Sequence, residues 1–356
     1  MQSLWPFTTM ALIKPSRSRP RASRAVPLAA AAALAIAGTT LAAAPAYADG
    51  GLGAQQWTAY ETNADTLSTD TNGGINPLQL GMEPGTRPSI SALSSNGYQV
   101  TFADRNAQLY TNGPRGSGPL GQFLATGTSP SMTILTNGAY EIAFQGANGD
   151  LWTYNGNTGA HDTGLGMDNS TSPSITSQPG AGFEIAFQAN TGDLWAAGSA
   201  GTADLGLGMD NSTSPSITSP NGGGAQWEIA FQANTGHLWT AGTSGTGDTG
   251  LPMFPSTSPG ITTISQNGGY QIAFVNIDGM LASAGTYGPH NLQIGAARTG
   301  ASPSIAGIRG STAAAIAVNG PGDTLWTAVV TPGSGVVSNT NQRMDHSSSP
   351  STTTTA

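Results

Sequence analysis

Along residues 183–188 the chain alternates Phe183, Ile185 and Phe187 with Glu184, Ala186 and Gln188, the two-residue period of a strand with one bulky face and one small or polar face. Ser174-Ile175-Thr176-Ser177 precedes it across a Gly/Pro turn at Pro179-Gly180-Ala181-Gly182. Asn190-Thr191-Gly192 then reads as a hairpin, since Asn and Gly tolerate positive φ. Asp193 to Ala197 is the third strand, and the stretch around Leu205-Gly206-Leu207 is the fourth. No stretch beyond the N-terminal leader has a convincing helical period.

This four-strand unit repeats. Residues 183–195 return almost unchanged at 227–239, and a Ser-Pro-Ser-Ile motif or variant places prolines at 88, 130, 173, 215, 259, 303 and 350. A second anchor follows at Leu109-Tyr110, Leu151-Trp152, Leu194-Trp195, Leu238-Trp239, Met280-Leu281 and Leu325-Trp326. Four short strands per unit of roughly 43 residues predict an all-β fold, a β-propeller of four-stranded blades, in preference to a solenoid. The chain opens on late-repeat elements, Gln56-Trp57-Thr58-Ala59 and Leu80-Gly81-Met82, and ends on an early one, Ser349-Pro350-Ser351. N- and C-terminal strands therefore combine into one shared blade that closes a seven-bladed ring, leaving no long open sheet edge. A six-bladed ring with frayed tails is the alternative, because a mature start at Asp49 looks too late to supply the shared blade's second strand and Thr352 to Ala356 is low-complexity.

Residues 1–48 are set aside as a signal peptide: Lys14, Arg17, Arg19, Arg21 and Arg24 precede an Ala-rich apolar run, and Ala46-Tyr47-Ala48 fits a small-residue cleavage site. Residues 49–356 form a single propeller domain, with 351–356 expected to fray. The expected product is secreted and extracellular, with no membrane insertion. Beyond residue 48 six Arg and no Lys stand against nineteen acids, a net of −13. Such a surface cannot neutralise a run of phosphates, which excludes nucleic acid as a partner. The chain has no Cys, so packing and sheet hydrogen bonds hold it without disulfides.

Candidate chemistry lies in the repeated positions. Ile175, Ile185, Phe187 and Leu194 are expected core, with Ala143, Ala186, Ala230, Ala273 and Ala317 small where blades crowd. Trp152, Trp195, Trp239 and Trp326, with Tyr110, either pack the blades or present an indole to the C–H face of a sugar ring. Gln145, Gln188, Gln232, Asp150, Asp193, Asn190 and Asn234 lie within eight residues before those tryptophans and are candidate partners for sugar hydroxyls, the Asn residues having turn chemistry as their other explanation. Asp168-Asn169 and Asp210-Asn211 are caps or blade-junction contacts. Glu141, Glu184 and Glu228 recur once per blade, whereas a catalytic site is assembled once, so no enzyme is expected. His161, His237, His290 and His346 occupy unrelated repeat positions, so neither a metal site nor a cofactor is expected.

The units Thr171-Ser172-Pro173-Ser174-Ile175 and Glu184 to Trp195 resemble the repeats of actinobacterial secreted β-propeller proteins, similar to tachylectin-2-like and Photorhabdus-type propeller lectins. The resemblance weakens in the first unit, where Tyr110 stands for Trp, and in the fifth, where Leu281 is read in that place. It implies sugar binding in shallow pockets between adjacent blades, best beside Trp152, Trp195 and Trp239 and doubtful near Leu281, without metal or catalysis. Glycans or glycoconjugates are the implied partners. Some such proteins resemble lectin subunits of secreted antibacterial toxin particles, which implies a secreted protein partner as the competing role.

Overall fold

The computed structural model describes residues 55–354 apart from 72–73, 94–96, 221–225, 244, 265–268 and 296–299. The expected signal peptide at 1–48 lies outside the described residues. Strands group into seven four-stranded antiparallel sheets. Blade 4 shows the plan: Ser174–Gln178, Gly182–Gln188, Asp193–Gly198 and Gly201–Gly208 pair in chain order from the inside outward. Blades 2, 3, 5, 6 and 7 follow the same order over 89–123, 131–166, 216–252, 260–295 and 304–343. The innermost strands touch one another around a closed circuit. The fold is a seven-bladed β-propeller, and one short 3-10 turn, Pro179–Ala181, is the sole helical element among the described residues.

Blade 1 is the shared blade, with two corrections to the sequence reading. Gln56–Glu61 is its second strand instead of a late element, so the N-terminal segment supplies three strands: Gln56–Glu61, Thr66–Thr71 and Gly74–Gly81. Ser351–Thr354 is not frayed but paired as the innermost strand, with Trp57 opposite Thr353 and Thr58 opposite Thr352. Its low complexity is no obstacle, because an inner strand lies at the crowded axis where Ser and Thr fit. Gln56 Nε2 donates to Thr352 Oγ1 (3.2 Å), and Thr352 Oγ1 donates to the Trp57 carbonyl (3.1 Å).

The two faces of each strand pack into different seams. Ile175, Ile185 and Phe187 point from blade 4 into a cluster with Ala143, Leu151 and Met167 of blade 3. Ala186, Leu194 and Met209 point the other way, against Ile217, Ile229 and Phe231 of blade 5. The expected core of Ile175, Ile185, Phe187 and Leu194 is therefore divided between two seams, as period-2 alternation requires. The same bulky-on-small match recurs where Ala230, Leu238 and Met253 meet Ile261, Ile272 and Phe274. Each buried Ile or Phe contributes about 1.5–3 kcal/mol, so every seam is strongly favourable. At the closing seam Tyr60 packs on Ala317, Leu325 and Met344.

Hydrogen bonds stitch the inner strands in both directions. The N–H of Ser172 donates to Ser214 Oγ and that of Ser214 to Ser258 Oγ, each at 2.9 Å. Running back, the N–H of Ile217 reaches Ser174 Oγ (3.2 Å) and that of Ile261 reaches Ser216 Oγ (3.1 Å). The prolines between these serines have no N–H to leave unpaired. Each crossing to the next blade is fixed at its end: Asp168 N–H bonds the Gln188 carbonyl across the seam (2.9 Å), and Thr171 Oγ1 donates to the Asp168 carbonyl (2.8 Å). Asp168 is thus a junction residue through its backbone.

Several carboxyls are buried within this frame. Burial pushes the Glu184 and Glu228 carboxyls up to about 7, and burial followed by the charge of Asp345 raises Glu61 to about 8. Glu141 is also raised by burial, partly offset by the Asn155 side chain, which donates to it at 2.6 Å.

Two predictions follow from these contacts. A chain ending at Ser348 lacks the inner strand of blade 1, and a few ladder hydrogen bonds at about 1 kcal/mol each put the expected loss at roughly 2–5 kcal/mol; an unchanged urea midpoint would exclude closure by this strand. Because folding raises these acids, their neutral forms favour the native state. Stability is full below about pH 4.5 and falls as pH rises through about 7 to 8. Thermal midpoints across that range should decline, and Glu184→Gln with Glu228→Gln should flatten the decline.

Candidate functional site

On each third strand one residue faces the next blade and the following one faces the preceding blade. Leu194 belongs to the seam with blade 5, whereas Trp195 packs half-buried against blade 3. Directly across the third and fourth strands stand Trp152 and Asp162, Trp195 and Asp204, Trp239 and Asp248, and Trp326 and Asn339. The acid is positioned by turn chemistry. Asp204 Oδ1 accepts the N–H of Gly206 (2.8 Å), and Asp162 and Asp248 do the same with Gly164 (2.9 Å) and Gly250 (2.7 Å). These glycines have φ of 68°, 64° and 69° for 164, 206 and 250, and they lie beside a register shift that sets each Asp opposite the Trp of the third strand.

The polar surroundings differ from blade to blade. In blade 3, Asn148 donates to Asp150 Oδ2 (2.9 Å) and Asp162 Oδ2 (3.1 Å) and accepts the Trp152 indole N–H (2.9 Å). In blade 5, His237 Nδ1 lies 3.0 Å from Asp248 Oδ2. The Gly250 N–H first, and then His237, hold the Asp248 carboxyl below its ordinary value. The indole N–H groups of Trp195 and Trp239 are buried without a partner, because Thr191 and Thr235 stand at the hairpin position of Asn148. In blade 7 the Trp326 indole donates to Thr324 Oγ1 (3.0 Å).

Among the described residues, clefts open in the 3–4 and 5–6 seams. One, of about 290 Å³, lies between blades 3 and 4 among Thr153, His161, Thr163, Phe183, Ala197 and Thr202. The other, of about 270 Å³, lies between blades 5 and 6 among Pro252, Phe274, Asn276, Asp278, His290 and Asn291. Both approach the lower end of the range for small-ligand sites. The second corrects a register. Leu281 pairs with Val275 as Leu194 pairs with Gln188, so Ala282, opposite Phe274, is the residue in the tryptophan position. Elsewhere Phe144, Phe187 and Phe231 have an indole centroid 6.3, 6.3 and 6.4 Å away. At Phe274 that space is the cleft.

The other predicted site residues are distributed differently. Gln145, Gln188 and Gln232 are buried and bond the hairpin, the crossing loop or both: Gln145 Nε2 donates to the carbonyls of Gly149 (3.3 Å) and Asp168 (3.2 Å), Gln188 to its hairpin's Gly192 (3.4 Å), and Gln232 to Phe254 of the crossing loop (3.3 Å). Asn190 and Asn234 pin neighbouring blades, with backbone N–H groups on the Gly166 and Gly208 carbonyls (3.1 Å each) and side chains filling the space a Cβ would need at those glycines. Asp150 and Asp193 begin the strands that carry the indoles. Tyr110 packs on Phe102 with centroids 5.1 Å apart, facing blade 1. Sequence reasoning missed Asp162, Asp204, Asp248 and Asn291. The signal for the acids was the repeated Asp-x-Gly-Leu at 162–165, 204–207 and 248–251. Among the described residues no group of three or more His, Asp or Glu is placed to hold a metal ion, and no helix is long and apolar enough to cross a membrane.

No protein-family model matches the chain, and no curated protein matches it in sequence. Solved structures do match in shape. AofleA from Arthrobotrys oligospora superposes with a TM-score of 0.53 at 12% identity over 85% of this chain and 93% of its own. A mutant of the Aleuria aurantia lectin in complex with Fucα1-6GlcNAc gives 0.53 at 10% identity, over 73% and 96%. A further structure of that lectin, described as a six-bladed β-propeller with a novel fucose recognition mode, gives 0.50 at 11% identity, over 73% and 95%. At such identities the likeness is one of fold: the chain has the propeller architecture of these lectins, with seven blades where the Aleuria protein has six.

Proposed function

We propose that this protein is a secreted, multivalent carbohydrate-binding protein that engages neutral cell-surface glycans at the seams between blades. The observation that carries the reading is the aromatic and polar pair repeated across the third and fourth strands, Trp152 with Asp162, Trp195 with Asp204 and Trp239 with Asp248; the clefts in the 3–4 and 5–6 seams are lined by other residues. The open part of an indole suits the C–H face of a pyranose, and an adjacent carboxylate accepts from its hydroxyls. The acids and the net negative charge disfavour anionic sugars. The fucosylated ligand of the Aleuria lectin makes fucosylated glycans the first probe. The positive, Ala-rich leader supports export. No reaction is assigned: Glu141, Glu184 and Glu228 recur at one repeat position in blades 3, 4 and 5.

Each site alone is weak, about millimolar, and linked engagement raises apparent affinity by about 10² to 10⁴. A glycan array on residues 49–356 should show neutral, fucose-bearing glycans binding in preference to sialylated ones. Trp195→Ala with Trp239→Ala should weaken those two sites about tenfold each, or about 1.4 kcal/mol. Full retention of binding in the folded double variant would overturn the seam site.

A second reading, docking of a secreted protein partner, is favoured by exposed apolar side chains on the outer strands of three consecutive blades: Val336 (54% exposed), Ile75 (47%) and Phe123 (54%). Val336→Asn with Phe123→Asn should abolish such docking and leave glycan binding intact.

A further inference from the structure

The axis of the ring carries a charge that the lectin reading does not use. Where the innermost strands converge they enclose a cavity of about 110 Å³. In the residue before the proline of the repeat, six blades have serine, at 129, 172, 214, 258, 302 and 349, and blade 2 has Arg87. Arg87 is the one charged side chain lining the cavity, and neither a carboxylate nor a carboxamide lines it. The Arg87 backbone N–H bonds Ser129 Oγ (2.9 Å), but its guanidinium has no hydrogen bond or ion pair with any described residue. The Arg87 side chain is half-buried, and that burial lowers its affinity for a proton.

The serines around it are poised as donors. Ser89, Ser131, Ser174, Ser216, Ser304 and Ser351 each accept a backbone N–H from an adjacent blade, at 2.9 to 3.3 Å. None of the six donates its own hydroxyl proton to a described residue, so that proton is free to point into the channel. Arg87 also interrupts the serine circuit. The N–H of Ser302 meets Ser349 Oγ (3.0 Å), but the N–H of Ser349 finds no hydroxyl at position 87. Guanidinium stays charged at any physiological pH, and leaving it unpaired in a confined site is costly. An anion with several acceptor oxygens would satisfy the planar fork and the hydroxyl ring together. The cavity has room for a small ion and water and falls short of the roughly 300 Å³ where drug-sized ligand pockets begin.

We propose that the axial channel binds one small oxyanion, phosphate, sulfate or a carboxylate, between the Arg87 guanidinium and the hydroxyls of the inner-strand serines. The test uses the full chain and Arg87→Ser, which restores the residue found in the six other blades and so preserves the fold. Thermal midpoints are titrated with phosphate, sulfate and acetate against chloride at matched ionic strength, and equilibrium dialysis with labelled phosphate counts bound ions. The expected result is a saturable rise in midpoint, one phosphate per chain, and affinity at least tenfold weaker in Arg87→Ser. A response to acetate alone assigns the site to a carboxylate-bearing ligand; a response to phosphate or sulfate assigns it to the inorganic ion. Equal responses in the two proteins, which a general salting effect would give, or no response to any of the three, overturn the site. Glycan binding should be the same in both proteins, so this result stands apart from the seam reading.

Discussion

A blade with Ile and Phe on one face and Ala, Leu and Met on the other cannot bury either face by itself. Each bulky face needs the small face of a neighbour, and each neighbour presents the same need on its far side. The requirement is met throughout only when the series returns to its start. Here it returns through Tyr60, which meets Ala317, Leu325 and Met344, and through Ser351–Thr354 laid beside Gln56–Glu61. Closure is therefore a packing condition as well as a hydrogen-bonding one.

The same condition explains how uniform and variable features coexist. Inner strands use Ser, Pro and Thr because the axis is crowded and their hydroxyls bridge adjacent blades. Second strands are held to Ile, Ala and Phe by the seams. Third and fourth strands lie farther out, where the blades diverge, and substitutions there open space instead of producing collisions. Trp195 fills its seam, whereas Ala282 at the equivalent place leaves a cleft of about 270 Å³. Variation in one residue type along a rigid ring thus produces a set of non-identical recesses on a common scaffold.

Much of the architecture was legible in the linear pattern. The spacing of the Ser-Pro motifs and the alternation at 183–188 were enough to infer four-stranded blades, seven of them, and a split blade, because period and strand count are local properties of the chain. Misassigned elements were those whose identity depends on a partner. Gln56–Glu61 looks like a late strand in sequence and is a second strand because Ser351–Thr354, nearly three hundred residues away, pairs with it. Leu281 looks like a substitute for tryptophan until cross-strand pairing with Val275 moves that role to Ala282.

What the sequence determined by itself was the unit: which residues alternate, where turns fall, and which aromatic and polar types recur. Tertiary structure decided which of those recurrent polar residues are accessible. Gln188 and Asn190 sit two residues apart in a polar-looking stretch, yet one is buried under its own hairpin and the other is wedged on Gly166 of the preceding blade. Asp204, nine residues beyond Trp195, pairs directly across the strands with it. The physical reason is that hydrophobic periodicity reports only the face a residue occupies, whereas access to a ligand depends on how far apart two neighbouring blades have spread at that radius.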